Sequence, residues 1–224
     1  MLQIKNLTLT HKKDLREILS DFSCVFNNGD KAVIIGEEGN GKSTLLKWLY
    51  DPLMVEEYCE AEGERLISGE VLGYLAQELP KEDQQKSVYE FFSEQESFWN
   101  QTPKELNQTA AKFHIAPDFF YREQQMSTLS GGEKVKAQLM RILFAEPTVL
   151  LLDEPSNDID IETLETLEEL ILSWDKIVIY ISHDETLIER TANKIIHIEQ
   201  IRRKTKSRFC IANTSYKKKK KNRS

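Results

Sequence analysis

The 224-residue sequence predicts an α/β protein built on a largely parallel sheet, and three features point there. A glycine-rich loop sits between an apolar run and an amphipathic helix. The second half alternates helical and strand-like segments, which calls for parallel pairing and right-handed crossovers. Its strand-like runs over 148–152 and 177–182 are uninterruptedly apolar, as in strands covered on both faces.

Taken in order, residues 2–9 alternate apolar and polar side chains and predict an early strand, with a second around 22–26 before the turn Asn27-Asn28-Gly29-Asp30. Residues 30–35 read as a polar turn feeding a short buried strand, and 44–50 carry apolar residues at helical spacing. The glutamate-rich stretch 56–64 reads as an acidic loop. Residues 71–76 predict a strand that ends at Gln77. Segments 87–97 and 103–114 look helical, with Tyr89, Phe91, Phe92, Phe98 and Trp99 expected to pack as core. Helices follow over 131–145, 161–173 and 184–192, and strands over 148–152, 177–182 and 194–198. There is no internal repeat.

Composition is that of an ordinary globular protein, 40% hydrophobic and 30% charged. No stretch approaches the roughly 18 apolar residues needed to span a bilayer, and the N-terminus lacks a basic region followed by an apolar one. The expected location is cytoplasmic. Cys24, Cys59 and Cys210 are odd in number and far apart, so they read as reduced packing residues. The net charge of −7 is unevenly spread: residues 202–224 hold 11 Lys/Arg and no Asp/Glu, leaving 19 basic and 37 acidic residues, or −18, for 1–201. The lysine run 217–221 is either a solvated terminus or a contact for RNA or another polyanion.

Residues Gly36-Glu37-Glu38-Gly39-Asn40-Gly41-Lys42-Ser43-Thr44 satisfy G-x-x-x-x-G-K-S/T in full. Its glycines let the backbone approach a polyphosphate, so that successive N–H groups and the helix N-terminus face the anion. Lys42 is then placed to reach the β- and γ-phosphates and Ser43 to ligate Mg²⁺. The apolar strand 149–152 runs into Asp153-Glu154, and in parallel α/β sheets ligands gather at the carboxyl ends of strands. Asp153 suits a metal-linked role and Glu154 suits polarising the water that attacks the γ-phosphate. Leu129-Ser130-Gly131-Gly132-Glu133 opens a helix with uncovered N–H groups. It reads either as a second anion site or as a plain N-cap, with Glu133 in the capping-box position. His183 ends the strand 177–182, where it suits a polar contact to the γ-phosphate.

In this order the motifs resemble those of an ATP-binding cassette (ABC) nucleotide-binding domain, across nearly the whole chain. Residues 36–44 resemble Walker A, Gln77 the Q-loop glutamine, 129–133 the signature, 149–154 Walker B with its catalytic glutamate, 156–160 the D-loop, and His183 the switch histidine. The resemblance implies a P-loop NTPase fold with a RecA-like core, an antiparallel β subdomain and a small helical subdomain at about 84–145. The cassette is expected over 1–201, with 202–224 as a basic C-terminal segment where the resemblance puts the start of an interdomain linker. It also implies ATP and Mg²⁺ as ligands. Glu154, His183 and Lys42 fall at the catalytic positions, and Ser43, Gln77 and Asp153 at the metal. Residues 36–44, Gln77, His11, Ser130, Gly131, Gly132 and Asp160 fall at nucleotide contacts. In that family ATP lies between the Walker motifs of one cassette and the signature of another, so the implied partner is a second cassette, as a homodimer or a missing second half.

Within the family, LSGGEKVKAQL, LDEPSNDIDIETLETLEEL and ISHDETLI are more similar to the ABC-F branch than to transporter subunits. That implies an ATPase associated with the ribosome and its RNA, in translation or antibiotic resistance. The alternative is the ATP-binding subunit of a membrane transporter, with a separate transmembrane partner. A third reading is a nucleotide-binding module without turnover. The chain departs from the family at His11, where an aromatic ring often meets adenine, and at Glu37 and Glu38, which must point outward or repel the nucleotide. Only 34 residues separate Lys42 from Gln77, too few for the arm insertion of some ABC-F proteins.

Overall fold

The computed structural model describes residues 1–201 and 204–211, with side chains through Glu199. Among the described residues nine strands form two sheets: β1 (Leu2–His11), β2 (Glu17–Phe26), β3 (Lys31–Gly36), β4 (Cys59–Ile67), β5 (Leu72–Leu75), β6 (Val149–Asp153), β7 (Ile177–Ile181), β8 (Lys194–Ile201) and β9 (Lys204–Ile211). Helices are α1 (Lys42–Tyr50), α2 (Leu53–Glu56), α3 (Lys81–Gln84), α4 (Val88–Ser93), α5 (Glu96–Trp99), α6 (Pro103–Lys112), α7 (Gly131–Phe144), α8 (Ile161–Ser173) and α9 (Glu185–Thr191). The main sheet runs β5-β6-β7-β3-β8-β9, parallel through β8, with β9 antiparallel at the edge. The smaller sheet, β2-β1-β4, is antiparallel.

The apolar strands sit where their composition requires. Every residue of β6 and β7 is buried, and period-2 alternation sends their side chains into two separate cores. On one face Val33, Leu150, Leu152, Val178 and Tyr180 pack against α7, α8 and the aromatic cluster of the helical region. On the other, Ala32, Ile34, Leu151, Ile179 and Ile181 meet Leu45, Leu46 and Leu49 of α1 and the inner face of the smaller sheet. Phe92 lies at the middle of the aromatic cluster, with the rings of Phe91, Phe98, Phe119, Phe120 and Phe144 at 5.0–6.4 Å between centroids.

Several expectations are corrected. Most of the stretch 56–64 is not a loop but the first half of β4, pairing Thr10↔Glu60, Thr8↔Glu62 and Lys5↔Glu64 with β1. An edge strand exposed on both faces needs no apolar run, and residues 60–64 of β4 are all exposed, so no apolar signal marks the strand. The second strand begins at Glu17, five residues earlier than the apolar signal. The helix over 87–97 is two: α4 ends at Ser93 and α5 starts at Glu96, and the Trp99 indole donates across the break to the Ser93 carbonyl at 2.8 Å. Trp99 is 61% exposed and Tyr89 half-buried, so only Phe91, Phe92 and Phe98 of the expected five are buried. Of the basic segment 202–224, only the backbone of Lys204–Ile211 is described, and the lysine run 217–221 lies outside the described residues.

Candidate active site

The glycine loop links β3 to α1, as its pattern requires. Gly41 is the N-cap of α1 at φ 78, with no side chain capping it, so the first N–H groups of the helix stay uncovered. A side chain is excluded there twice over. The left-handed φ disfavours it, and a Cβ would stand 1.8 Å from Ile18 Cγ2 of β2. Lys42 bends back over the loop and donates to the Gly36 and Glu37 carbonyls, both at 2.9 Å. Glu37 and Glu38 are exposed, as two carboxylates in a phosphate loop have to be. Asn40 is buried, and its Nδ2 has no hydrogen-bond partner.

Opposite α1, strand β6 delivers Asp153 and Glu154. Asp153 is 1% exposed, and each carboxylate oxygen accepts from a hydroxyl: Oδ1 from Ser43 at 2.9 Å and Oδ2 from Tyr74 at 3.2 Å. Burial holds its carboxyl above the usual range, and the two hydroxyls oppose that rise. Burial together with the neighbouring Asp153 charge pushes the Tyr74 hydroxyl far up, so it stays protonated as a donor. Glu154 departs from the strand at φ 50, in the left-handed region that a non-glycine residue occupies only under constraint. Its Oε1 lies 3.1 Å from Nε2 of the half-exposed His183, whereas Oε2 is buried and unpartnered. Burial raises the Glu154 carboxyl, with His183 and Lys42 pulling the other way.

The loop, Glu154 and His183 meet in one cavity of about 420 Å³, and Asp153, bonded to the lining residue Ser43, does not itself line it. His11, Glu38, Gly39, Gly41, Lys42, Ser43, Thr44, Gln77, Glu154 and His183 line it, while Gly36, Glu37 and Asn40 complete the loop behind. Ser130, Gly131, Gly132 and Asp160 do not line it. Ser130 and Glu133 form a reciprocal capping box at the start of α7, 3.2 and 3.0 Å, and Asp160 caps α8 through the Thr163 N–H at 2.8 Å. That cap holds the Asp160 carboxyl below its ordinary value. The two motifs are nonetheless joined, because Gly131 lies so close beneath residue 158 that a Cβ would stand 2.1 Å from the Asp158 carbonyl oxygen.

Three lining residues escaped the sequence reading, Arg16, Ile18 and Tyr58, and a fourth, Asn157, belongs to the segment 156–160 read as the D-loop without being singled out. Tyr58 lies near the start of the stretch that resembled a loop, immediately before β4. Its ring is 6.5 Å from that of His11, and burial raises its hydroxyl, with Thr44 opposing that rise. An aromatic residue amid glutamates was the one available signal. The donor set suits Mg²⁺: the Ser43 hydroxyl, the Gln77 amide oxygen and the Asp153 carboxylate are all hard oxygens. With a single carboxylate among them, they leave several positions to phosphate and water, the way proteins ordinarily hold this ion.

The ABC transporter family profile matches residues 19–157. The ATP-binding protein Uup of Escherichia coli (strain K12) is 34% identical over 187 residues, covering 80% of this chain and 28% of that protein. The chain spans 28–31% of the length of the first four curated relatives it matches. Among solved structures, the ATP-binding cassette MJ0796, a dimer bound to ADP and Pi in a post-hydrolysis state, superposes with a TM-score of 0.69 at 20% identity. That match covers 93% of this chain and 98% of the other. A chain of ribosome-bound archaeal Pelota and ABCE1 gives a TM-score of 0.69 at 21% identity, covering 92% and 33%. No helix among the described residues is long and apolar enough to cross a membrane. With its glycine loop, Glu154 and His183 assembled around one cavity and its sequence matched over 19–157, the chain belongs to the ABC transporter family as an ABC ATPase domain.

Proposed function

We propose that this cassette hydrolyses Mg²⁺-ATP as an ABC-F-type protein acting on the ribosome, with each ATP held between it and a second cassette. The observation that carries the reading is the Glu154–His183 pair, 3.1 Å apart at the end of β6, in the cavity that Lys42 and Ser43 enter from α1. Glu154 orients and deprotonates the attacking water. His183 holds the carboxylate on its Oε1 side, which leaves Oε2 for that water. Lys42 exchanges its loop carbonyls for phosphate oxygens and neutralises the charge that develops on them. Mg²⁺, when held by Ser43, Gln77 and Asp153, supplies further charge neutralisation on the phosphates.

The second cassette is inferred from Ser130, Gly131 and Gly132. They present a helix N-terminus, a ready anion site, yet do not line the cavity of their own chain, and the similar MJ0796 cassette is a dimer. The ribosome is inferred from the ABC-F-like signature, D-loop and switch segments. The fold shared with a ribosome-bound assembly and the basic segment at 202–224, a polyanion contact of the kind that binds RNA, support it. A role in translation or antibiotic resistance, in the cytoplasm, follows from that reading.

The test has two parts. The purified chain should release phosphate from ATP in a Mg²⁺-dependent way, abolished in Lys42→Ala. Absence of turnover returns it to a nucleotide-binding module. It should also co-sediment with ribosomes when the Glu154→Gln variant is loaded with ATP. Co-purification with a membrane protein instead of ribosomes would favour the transporter subunit, the reading that the family match keeps in play.

A further inference from the structure

We propose that Tyr74 is a positioning residue for the divalent cation, fixing the Asp153 carboxylate through its hydroxyl. The proposal rests on the Mg²⁺-ATP reading above and deepens it. Asp153 has two oxygens and they have different partners. Ser43, a side chain of the phosphate loop, donates to Oδ1 at 2.9 Å, and Tyr74 donates to Oδ2 at 3.2 Å. A carboxylate held at one oxygen can still swing about its Cβ–Cγ bond. Held at both, it presents Oδ1 at a fixed angle toward the metal side. Hydrogen bonds of this kind, behind the ligands, orient the ligands and tune affinity for the ion.

The tyrosine is itself held in place. It stands on β5, whose Tyr74 pairs with Leu151 of β6, two residues before Asp153. Its ring stacks on Tyr50 of α1 at 5.2 Å and 25° between planes. Helix α1 therefore contributes to both sides of the carboxylate, with Ser43 at its start bonded to Oδ1 and Tyr50 at its end clamping the ring that reaches Oδ2. Tyr74 lies three residues before Gln77, so the strand that fixes Asp153 also delivers the amide at the cavity wall. Packing alone would be served by phenylalanine. The hydroxyl is the part that needs explaining.

The experiment measures Mn²⁺ binding to the purified 224-residue chain in the presence of ATP, from the electron paramagnetic resonance signal of free Mn²⁺. ATP affinity is measured in parallel in EDTA, with a fluorescent ATP analogue. Tyr74→Phe keeps the ring and the stack. It is expected to weaken Mn²⁺ by about 10–100-fold, the range found when such a supporting hydrogen bond is removed, with nucleotide affinity in EDTA and melting temperature unchanged. Tyr50→Phe, which keeps the stack and touches no carboxylate, should match the parent in both. Parent-like Mn²⁺ affinity in Tyr74→Phe overturns the proposal and leaves the Mg²⁺-ATP reading standing. An equal loss in Tyr50→Phe, or a matching loss of nucleotide affinity in EDTA, reassigns Tyr74 to packing and also overturns it. A parent chain that binds no Mn²⁺ with ATP overturns both the proposal and the reading beneath it.

Discussion

Replacing Glu154 by Gln separates chemistry from stability in one side chain. The amide has nearly the carboxylate's volume and keeps an oxygen that can accept from His183, so the 3.1 Å contact and the φ of 50 at this position should persist. What disappears is the acceptor for the water's proton. A positioned general base contributes about 10²–10⁴-fold, which at 1.36 kcal/mol per tenfold is about 3–5 kcal/mol of barrier. The effect on folding has the opposite sign. Burial raises the Glu154 carboxyl above its ordinary 4.5, so the folded chain binds that proton more tightly than the unfolded one. Stability therefore falls as pH rises from about 4.5 through the folded value, and above both it carries the full cost of burying the charge. Gln carries no such cost. Phosphate release under saturating Mg²⁺-ATP should thus drop by two to four decades, while urea denaturation at neutral pH shows a variant at least as stable as the parent. Turnover at the parent rate would remove Glu154 from its role, and a marked loss of stability would refute the geometric reasoning.

Other expectations follow from the same structure. Gly41→Ala places a Cβ 1.8 Å from Ile18 Cγ2 at φ 78, adding about 1–3 kcal/mol of backbone strain and about 1–3 kcal/mol of overpacking; denaturation and nucleotide titration should both register the loss, and an unchanged variant would contradict the close approach. Phe92→Ala empties the middle of the aromatic cluster and should cost about 3–5 kcal/mol, measured by urea unfolding, whereas the exposed Trp99→Ala should cost far less. Burial pushes the Cys24 thiol from 9.0 to about 11, so its contribution is fully present below pH 9 and about 2–3 kcal/mol is lost as pH climbs from 9 to 11. Cys24→Ala should flatten that part of the stability–pH curve, and a curve of unaltered slope would show that the thiol does not titrate there.

The parts of this protein with a strict local grammar were legible in its sequence. The glycine loop demands a strand before it and a helix after it, and both are there. The run 149–152 is apolar because β6 is covered on both faces, and the acids that end it could only emerge at the sheet's carboxyl edge. Legibility failed where burial does not dictate composition. β4 carries glutamates because both faces of residues 60–64 are exposed, and so Tyr58, which immediately precedes it and lines the cavity, was lost with it. Tyr74 looked like one more apolar strand residue. Its hydroxyl acquires meaning only when β5 and β6 lie side by side, a pairing between positions 79 residues apart that no local pattern encodes. Ser130 allowed two readings from sequence. Its capping box is realised in the structure.

The aromatic cluster has a bearing on how this architecture can change. Phe92 and its neighbours are continuous with Leu150, Leu152 and Tyr180 of the main sheet, in one unbroken hydrophobic body. Excising the helical region would strip apolar surface from the most deeply buried strands in the chain. Grafting that region from a relative would succeed only if the incoming side chains matched the sheet's relief. The helical region is therefore a poor module for swapping, in the laboratory or by recombination. Variation can collect at exposed positions such as Trp99 and Tyr121 at far smaller cost to the fold, and tolerance mapped by deep mutational scanning should rise sharply on passing from Phe98 to Trp99.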